Sequence, residues 1–438
     1  MGKRLLLMSL RSPYLDDAKV YPPLGILYLK SAAEKQISDL EIDLMDDYDL
    51  NDPSLFDPYD FVGLSVMTPQ REEANRVLTR IKDLDPKKKV IIGGPHAQFY
   101  FDEVQRQPWD HIVLRDGQRS LVRILQGDER RIYSDILNKQ EWKDQPNPDR
   151  TSDIARKFLA QYNYTLQGKR AGTMLTATGC PELCKFCEDS QTQVRWRSVE
   201  TLAQEMDDLL SLGYQGVYLF DDIFSIAMHQ IKPILVELKK RDLVFRCNGQ
   251  ARYFTKWGED FAKLLAEHGC AEIAFGHETG SQKILDNIQK RTTVQQNYDS
   301  VIYAKKYGVK VKSFILLGLP GEDMETLAET ERFVATAGMD DFQCCVFMPF
   351  KGTKIRESID RGETIDLKIE AKGADGEITG AYGIKGGESS YEVRTGALSS
   401  KDLEDFRNYL VTTYKPKSHA KKWQEDKFFD IGKDTHSI

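Results

Sequence analysis

Three cysteines fall within eight positions, in the run Cys180-Pro-Glu-Leu-Cys184-Lys-Phe-Cys187. Three thiolates on one short loop can each take one iron of a cubane cluster, leaving the fourth iron an open coordination site. Zinc is the competing reading. A structural zinc takes four closed ligands, usually as two close pairs, and no second pair of Cys or His follows at finger spacing, since His229 and Cys247 lie too far along. Uncoordinated thiols this close together would invite oxidation, so the spacing favours iron–sulfur over zinc, and both over a bare loop. Cys247, Cys270, Cys344 and Cys345 sit in apolar or strand-like stretches and read as buried small hydrophobes. Seven cysteines, an odd and sparse number, fit a reducing compartment in which metal rather than disulfide explains the crowding.

The elements that must position this loop alternate. Strand signals at 3–10, 40–45, 60–66, 89–92 and 111–114 are interleaved with helical spacing at 24–35 and 71–84. That pattern predicts a parallel sheet with ligand sites beyond the carboxyl ends of its strands, at the loops 11–25, 67–70, 93–96 and 115–118. A polar, proline-marked stretch at 139–150 reads as a linker. Alternation then resumes, with strands predicted at 172–177, 216–220, 244–248, 272–275, 310–317 and 343–348, and helices at 199–212, 229–240, 261–268, 294–307 and 325–337. Six such strands, fewer than the eight of a closed barrel, predict an open partial barrel with its site at the strands' carboxyl ends. The cysteine loop follows the first of them. Past Phe350 the pattern gives way to glycine-rich charged segments, a helix at 401–414 and a basic tail with Lys415, Lys417, Lys421 and Lys422, which reads as solvated surface.

The Cys-x3-Cys-x2-Cys loop, with Phe186 before its last cysteine and a six-strand β/α domain behind it, resembles the radical S-adenosylmethionine (SAM) enzymes. The resemblance implies a 4Fe-4S cluster on Cys180, Cys184 and Cys187, whose open iron is chelated by the amino and carboxylate groups of SAM. Electron transfer then cleaves SAM to a 5′-deoxyadenosyl radical, and backbone near Phe186 approaches adenine. Asp221-Asp222-Ile223-Phe224 ends the second strand, where the family places groups near SAM's amine, although an Asp there could instead cap the next helix. Gly276-His277-Glu278-Thr279-Gly280-Ser281 resembles the family's Gly-x-Glu-[Ser/Thr]-Gly segment, making Glu278 the expected polar contact beside the cluster. Arg291 looks like the basic residue that pairs with SAM's carboxylate, with a solvated arginine as the alternative. Leu317-Gly318-Leu319-Pro320-Gly321-Glu322 is similar to the adenine-flanking turn, where Gly318 would let backbone approach a flat ring.

Upstream, Tyr21-Pro22-Pro23-Leu24-Gly25, Val62-Gly63-Leu64-Ser65 and Gly93-Gly94-Pro95-His96 resemble the cobalamin-binding domain that precedes the radical domain in one large subgroup. The resemblance implies cobalamin contacts from Pro23, Leu24, Gly25, Ser65, Thr68, Gln70, Gly93, Gly94 and Gly117. Two departures matter. The Asp-x-His-x-x-Gly loop that places histidine under cobalt is missing, and no histidine precedes His96, so the cobalt is expected to lack a histidine lower ligand from that loop. Gln70, in Met67-Thr68-Pro69-Gln70, is a candidate for holding a lower-face water, against the plainer role of a helix-start polar residue. Arg115-Asp116-Gly117-Gln118 stands where the family commonly has Gly-Glu-Gly-Glu, which puts in doubt any carboxylate contact made there.

The expected fold class is α/β throughout. Residues 1–138 form a Rossmann-like cobalamin-binding domain, 139–170 the linker, 171–352 the partial radical SAM barrel, and 353–438 a small α+β region covering the substrate opening. The 438 residues suit two or three domains at about 150 residues each. A net charge of -7 supplies no field for polyphosphates, so nucleic acid is not an expected partner. No apolar run approaches 18 residues, and the start lacks a signal-peptide pattern, so the expectation is a cytoplasmic protein with no membrane partner. The expected partners are a small-molecule or peptide substrate and a cellular electron donor.

Three functions follow from these readings. The leading one is a cobalamin-dependent radical SAM methyltransferase acting on an unactivated carbon. The others are an enzyme with the same cofactors that rearranges, cyclises or oxidises, and a zinc-stabilised module without catalysis. A methylthiotransferase is disfavoured, because that family's N-terminal domain carries cluster cysteines and none precedes Cys180 here.

Overall fold

The computed structural model describes residues 2–11, 17–363, 365–371 and 391–416. The chain forms two compact units, one of residues 1–165, 169–173 and 195–215, the other of 166–168, 174–194 and 216–438.

In the first unit six strands, β1 (Lys3–Ser9), β2 (Leu40–Met45), β3 (Phe61–Ser65), β4 (Lys89–Gly93), β5 (His111–Arg115) and β6 (Ile132–Asp135), form a sheet in the order β2-β1-β3-β4-β5-β6. Every pairing is parallel. Successive side chains alternate between two cores. Leu6, Met8, Leu64 and Ile92 pack with Val77, Leu78 and Ile81 of helix Arg71–Leu84, while Leu5, Leu7, Ile91 and Val113 pack with Ile26, Leu27 and Leu121. Burial on both faces is why these strands read as continuous apolar runs. β6 escaped prediction because only Tyr133 of its four residues is buried.

The stretch 139–150, expected as a linker, is built into this unit. It starts with helix Lys139–Asp144, whose N-cap Asn138 accepts from the backbone of Gln140 and Glu141, and it buries Trp142 and Arg150. Polarity and proline suggested exposure, but here a charged residue, Arg150, makes the buried contacts, with Glu205 of helix Val199–Ser211.

The second sheet has seven strands. These are β7 (Thr165–Leu166), β8 (Lys169–Met174), β9 (Gly216–Leu219), β10 (Val244–Gly249), β11 (Cys270–Glu278), β12 (Lys310–Leu317) and β13 (Asp341–Val346), in the order β13-β12-β11-β10-β9-β8-β7. From β9 to β13 all pairings are parallel, and helices Met228–Lys240, Glu259–Glu267, Val294–Lys306 and Met324–Thr336 alternate with the strands. Along β12, Val311, Ser313, Ile315 and Leu317 are buried while Lys312, Phe314 and Leu316 keep partial exposure. One face is therefore sealed, and the other lines an open lumen, as expected of a partial barrel.

Lys368–Ala371 pairs antiparallel with Tyr391–Arg394, and helix Ser400–Tyr414 follows, capped by Ser399. Residues 373–387 and Lys417, Lys421 and Lys422 lie outside the described residues. Lys415 corrects the expectation of a solvated tail. It is buried, with Nζ 3.7 Å from Asp341 Oδ1. Among the described residues no helix is long and apolar enough to cross a membrane.

Candidate cofactor site

The cysteine loop leaves the carboxyl end of β8 and is held there by two carboxylates from the end of β9. Asp221 Oδ1 accepts from the backbone N–H of Thr176 at 2.6 Å and of Ala177 at 3.2 Å, and Asp221 Oδ2 accepts from the Thr176 hydroxyl. Asp222 Oδ2 accepts from Gly179 N–H at 2.7 Å. The two aspartates therefore do not cap the next helix: both oxygens of Asp221 and one oxygen of Asp222 are taken by the start of the loop. They shape the entry to the loop. Burial pushes the Asp221 carboxyl up to about 7 against the pull of these donors.

The loop is closed by Thr192, whose N–H donates to Cys180 O and whose hydroxyl accepts from Cys180 N–H, and by Gln191 N–H to Glu182 O at 2.9 Å. Glu182, two residues after Cys180, went unnoticed in the sequence because its role is set by distant partners. It is buried, and its Oε1 takes the Arg252 guanidinium and the Tyr253 hydroxyl, the latter at 2.6 Å. Cys180 and Cys184 are buried and Cys187 half-buried. Burial pushes the Cys180 thiol up to about 11 and Cys187 to about 12, and raises Cys184, so metal must displace their protons. Among the described residues no three His, Cys, Asp or Glu side chains close around a single ion. Three thiols on one loop with no fourth ligand nearby among the described residues would leave a cubane's last iron open, whereas a structural zinc takes four closed ligands.

Glu278 reaches this region through a kink. The pairing of β11 with β12 shifts register between Gly276 and Glu278, and Glu278 has φ 64. A bulge of this kind re-aims a side chain next to a functional site. Its carboxylate meets Lys290, with Nζ to Oε1 at 2.7 Å, and that ammonium also lies 5.4 Å from the centre of the Phe186 ring. Burial alone would lower the Lys290 ammonium, but Glu278 and the nearby thiols raise it above the usual lysine range. Arg291, the cation expected here, is exposed. Both residues carry the same charge in sequence. The turn of the chain after helix Gln282–Asn287 sends Lys290 inward instead.

Gly318, expected beside adenine, has φ 81, but a Cβ there would meet Leu403 at 2.9 Å, and its N–H is taken by Glu322. The Cβ side of this glycine and its N–H are thus both taken up within the protein. Phe186 packs edge-on to Phe347 at 6.5 Å. Three buried atoms around the strand ends, Glu182 Oε2, Gln250 Oε1 and Ser281 Oγ, have no hydrogen-bond partner among the described residues. Unsatisfied buried polar atoms of this kind suit a polar cofactor such as SAM.

In the first unit the sheet order reverses between β1 and β3, the switch point where such folds bind ligands. The expected cobalamin contacts lie on loops at the strands' carboxyl ends. Pro23 precedes helix Leu24–Glu34, with Leu24 and Gly25 in its first turn and open space where a Gly25 Cβ would stand. Ser65 ends β3 and Thr68 lies in the turn after it. Gly93 ends β4, and Gly94, at φ 93, packs against the Val66 backbone, where a Cβ would fall 2.8 Å from Val66 O. Gly117 opens helix Gly117–Leu125.

Gln70 takes the plainer of its two roles. Its Oε1 accepts from Met67 N–H at 2.9 Å and its Nε2 donates to Leu10 O at 2.6 Å. The Asp116 carboxylate is likewise engaged within the fold, by Leu137 N–H and Arg195. His96, which the sequence shows only as the last residue of a glycine motif, is buried, and its Nδ1 has no hydrogen-bond partner among the described residues, an atom that suits a corrin side chain.

Comparison with known proteins agrees with this geometry. The model of the radical SAM superfamily matches residues 174–334, and that of the B12-binding domain matches residues 17–125. An uncharacterized methyltransferase of Pyrococcus horikoshii is 30% identical over 77% of this chain and 78% of its own. The anaerobic magnesium-protoporphyrin IX monomethyl ester cyclase of Rubrivivax gelatinosus is 25% identical over 70% of this chain and 60% of its own. The radical SAM methyltransferase TsrM of Kitasatospora setae, solved with cobalamin and a [4Fe-4S] cluster, has the same fold at a TM-score of 0.71 and 18% identity, covering 86% of this chain and 82% of its own. With both family models matched in the order of the two sheets, and a methyltransferase relative spanning most of each chain, the protein belongs to the cobalamin-dependent radical SAM methyltransferases.

Proposed function

We propose that this enzyme methylates an unactivated carbon of a small molecule, working in the cytoplasm with a cellular electron donor. The observation that carries the reading is the juxtaposition of a three-thiol loop with the buried Glu278–Lys290 pair at the strands' carboxyl ends. Cys180, Cys184 and Cys187 would hold one iron each, and Asp221 and Asp222 would keep the loop in place. When bound, the cluster and SAM supply a carbon-centred radical, and cobalamin supplies a transferable methyl group. Lys290, in place of Arg291, is the cation suited to SAM's carboxylate, with Glu278 for its amine. Gln250 and Ser281 have buried atoms to offer SAM's polar groups. Glu182 positions the loop through Arg252 and Tyr253.

In the first unit Pro23, Leu24, Gly25, Ser65, Thr68, Gly93, Gly94 and Gly117 line the crevice proposed for cobalamin. The amide of Gln70 is already engaged, and with no histidine in Met67–Gln70 that loop would leave the cobalt's lower face without one. The C-terminal region from about residue 353, over the substrate opening, belongs to the same reading.

Anaerobically reconstituted enzyme given methyl-labelled SAM, a reductant and substrate should form labelled product with matching amounts of S-adenosylhomocysteine and 5′-deoxyadenosine. Product and 5′-deoxyadenosine without label or S-adenosylhomocysteine would refute methyl transfer and point to rearrangement, cyclisation or oxidation.

A further inference from the structure

Helix Gly117–Leu125 begins where β5 ends, at the carboxyl edge of the first sheet, and its first turn holds no acidic residue. Its N-cap is Asp116, yet the Asp116 side chain makes no capping bond. Oδ2 of that carboxylate accepts from Leu137 N–H at 2.8 Å, and the Arg195 guanidinium takes both oxygens. The first N–H groups of a helix have no partner within it, and with the helix dipole they favour an anion.

Side chains beside this start add donors of the same kind. Gln118, the second residue of the helix, donates from Nε2 to Gln145 Oε1 at 3.1 Å, which sets the Gln145 amide against the first turn. Gln145 is 6% exposed, and its Nε2 has no hydrogen-bond partner among the described residues. Three residues earlier Trp142 is buried to the same degree, and its Nε1 is likewise unpartnered there. The Trp142 ring lies 4.5 Å from the guanidinium of Arg195, the group that holds Asp116. Buried polar atoms rarely go without a partner, and both of these are N–H donors, so the ligand that satisfies them is an acceptor.

The charge here has the matching sign. Arg195 is paired with Asp116, Arg119 with Glu141, and Arg123 with Asp135. Arg115, the residue before the N-cap, is exposed, and its guanidinium has no ion pair or hydrogen bond among the described residues. A neutral carbonyl would satisfy the Gln145 amide and leave Arg115 unpaired, whereas an oxyanion meets both. All of these residues belong to the first unit. We propose that the start of helix Gly117–Leu125 is an oxyanion site whose donors are the N–H groups of the first turn, Gln145 Nε2 and the Arg115 guanidinium. A planar guanidinium suits phosphate, since it makes two parallel bonds to it. The phosphodiester in the nucleotide tail of cobalamin and a phosphate group on a separate small molecule offer this same chemistry. The first source rests on the cobalamin reading of the crevice, and the second does not.

Binding measurements on the full-length enzyme carrying its cluster test it. Cobinamide is cobalamin without the nucleotide tail, so equilibrium dialysis of the two corrinoids isolates the tail. If the tail's phosphodiester is the ligand, Arg115→Gln and Gln145→Leu should each weaken cobalamin about tenfold, as for one lost charge-assisted bond, and leave cobinamide unchanged. Inorganic phosphate, titrated by calorimetry against chloride at equal ionic strength, should then bind only the corrinoid-free enzyme. If the phosphate belongs to a separate molecule, inorganic phosphate should also bind the cobalamin-loaded enzyme, about tenfold more weakly in both variants, with cobalamin affinity unaltered. Arg115→Lys should recover part of the loss in either case. The proposal is overturned if either variant leaves both the ratio of cobalamin to cobinamide affinity and the binding of phosphate as in wild type. Cobalamin retained by wild type with no response to the variants removes this inference alone. Wild-type enzyme that retains neither corrinoid, yet binds phosphate through Arg115 and Gln145, overturns the cobalamin reading and leaves the oxyanion site standing.

Discussion

Glu205 holds two guanidinium groups in the interior of the first unit, and Glu205→Gln should destabilise that unit severely. Its Oε1 accepts from Arg150 Nε at 3.1 Å and Nη2 at 2.5 Å, and its Oε2 takes Arg197. Arg150 also donates to Thr173 O, and Arg197 to the Tyr28 hydroxyl at 2.8 Å and to Asn147. The three charged side chains are 0–1% exposed. Glutamine keeps the volume and removes the only negative charge of the trio, leaving two buried cations. Breaking a buried pair from one side costs about 3–5 kcal/mol, and we take that for the trio as a whole because coupled contacts do not add. In a unit of about 150–250 residues each kcal/mol moves the melting midpoint by about 2–4 °C, so the first unit should melt about 6–20 °C lower.

Differential scanning calorimetry of the full chain measures the midpoint. Hydrogen exchange in peptides covering 139–150 and 199–211 assigns the transition to this unit. A midpoint within about 2 °C of wild type would refute the reasoning. The triple variant Arg150→Met, Glu205→Leu, Arg197→Met should recover most of the loss, since apolar replacement of a buried triad is neutral or stabilising.

The imidazole of His277 is bonded to the hydroxyls of Ser313 and Ser300, at 2.8 and 2.9 Å, and burial pushes its pKa down to about 3. Its folded value lies below its unfolded one, so the unfolded chain binds more protons as pH falls from about 6.5 toward 3, and stability drops by up to about 1.4 kcal/mol per pH unit. His277→Gln should flatten the pH dependence of the melting midpoint between pH 6 and 4, and an unaltered slope assigns it to other groups. Gly276→Ala would drive a Cβ into Glu278 Oε1 and to 3.1 Å from Lys290 Nζ. SAM affinity by equilibrium dialysis should fall about tenfold or more with iron content unchanged, as expected for a lost charge-assisted contact. Gly94→Ala meets both a positive φ and the Val66 carbonyl, a strain of about 1–3 kcal/mol, and should reduce corrinoid retention measured by absorbance.

Much of this was legible because it is local. Strand and helix periods placed Leu40–Met45 and Arg71–Leu84 to the residue, and the cysteine spacing marked the loop. What was hidden depends on where the chain turns. Lys290 and Arg291 are indistinguishable in sequence, and only the backbone after Asn287 decides which one is buried beside Glu278. Asp221 and Asp222 read as candidates for an amine because carboxylates at a strand end fit that role, yet backbone N–H groups about 45 residues upstream claim them. Lys415 looked like tail and is the buried partner of Asp341. Long-range pairings of this kind leave no periodic trace.

The bonds that shape the cysteine loop contain no metal. Two aspartates, Thr192 and the Glu182–Arg252 tie hold its two ends from protein alone. The shape of the loop is therefore tied to residues as far along the chain as Asp222 and Arg252, and a change at either should disturb cluster loading without touching a thiol. Loading must also release protons from three thiols whose burial makes them reluctant to give them up, so its rate should rise with pH.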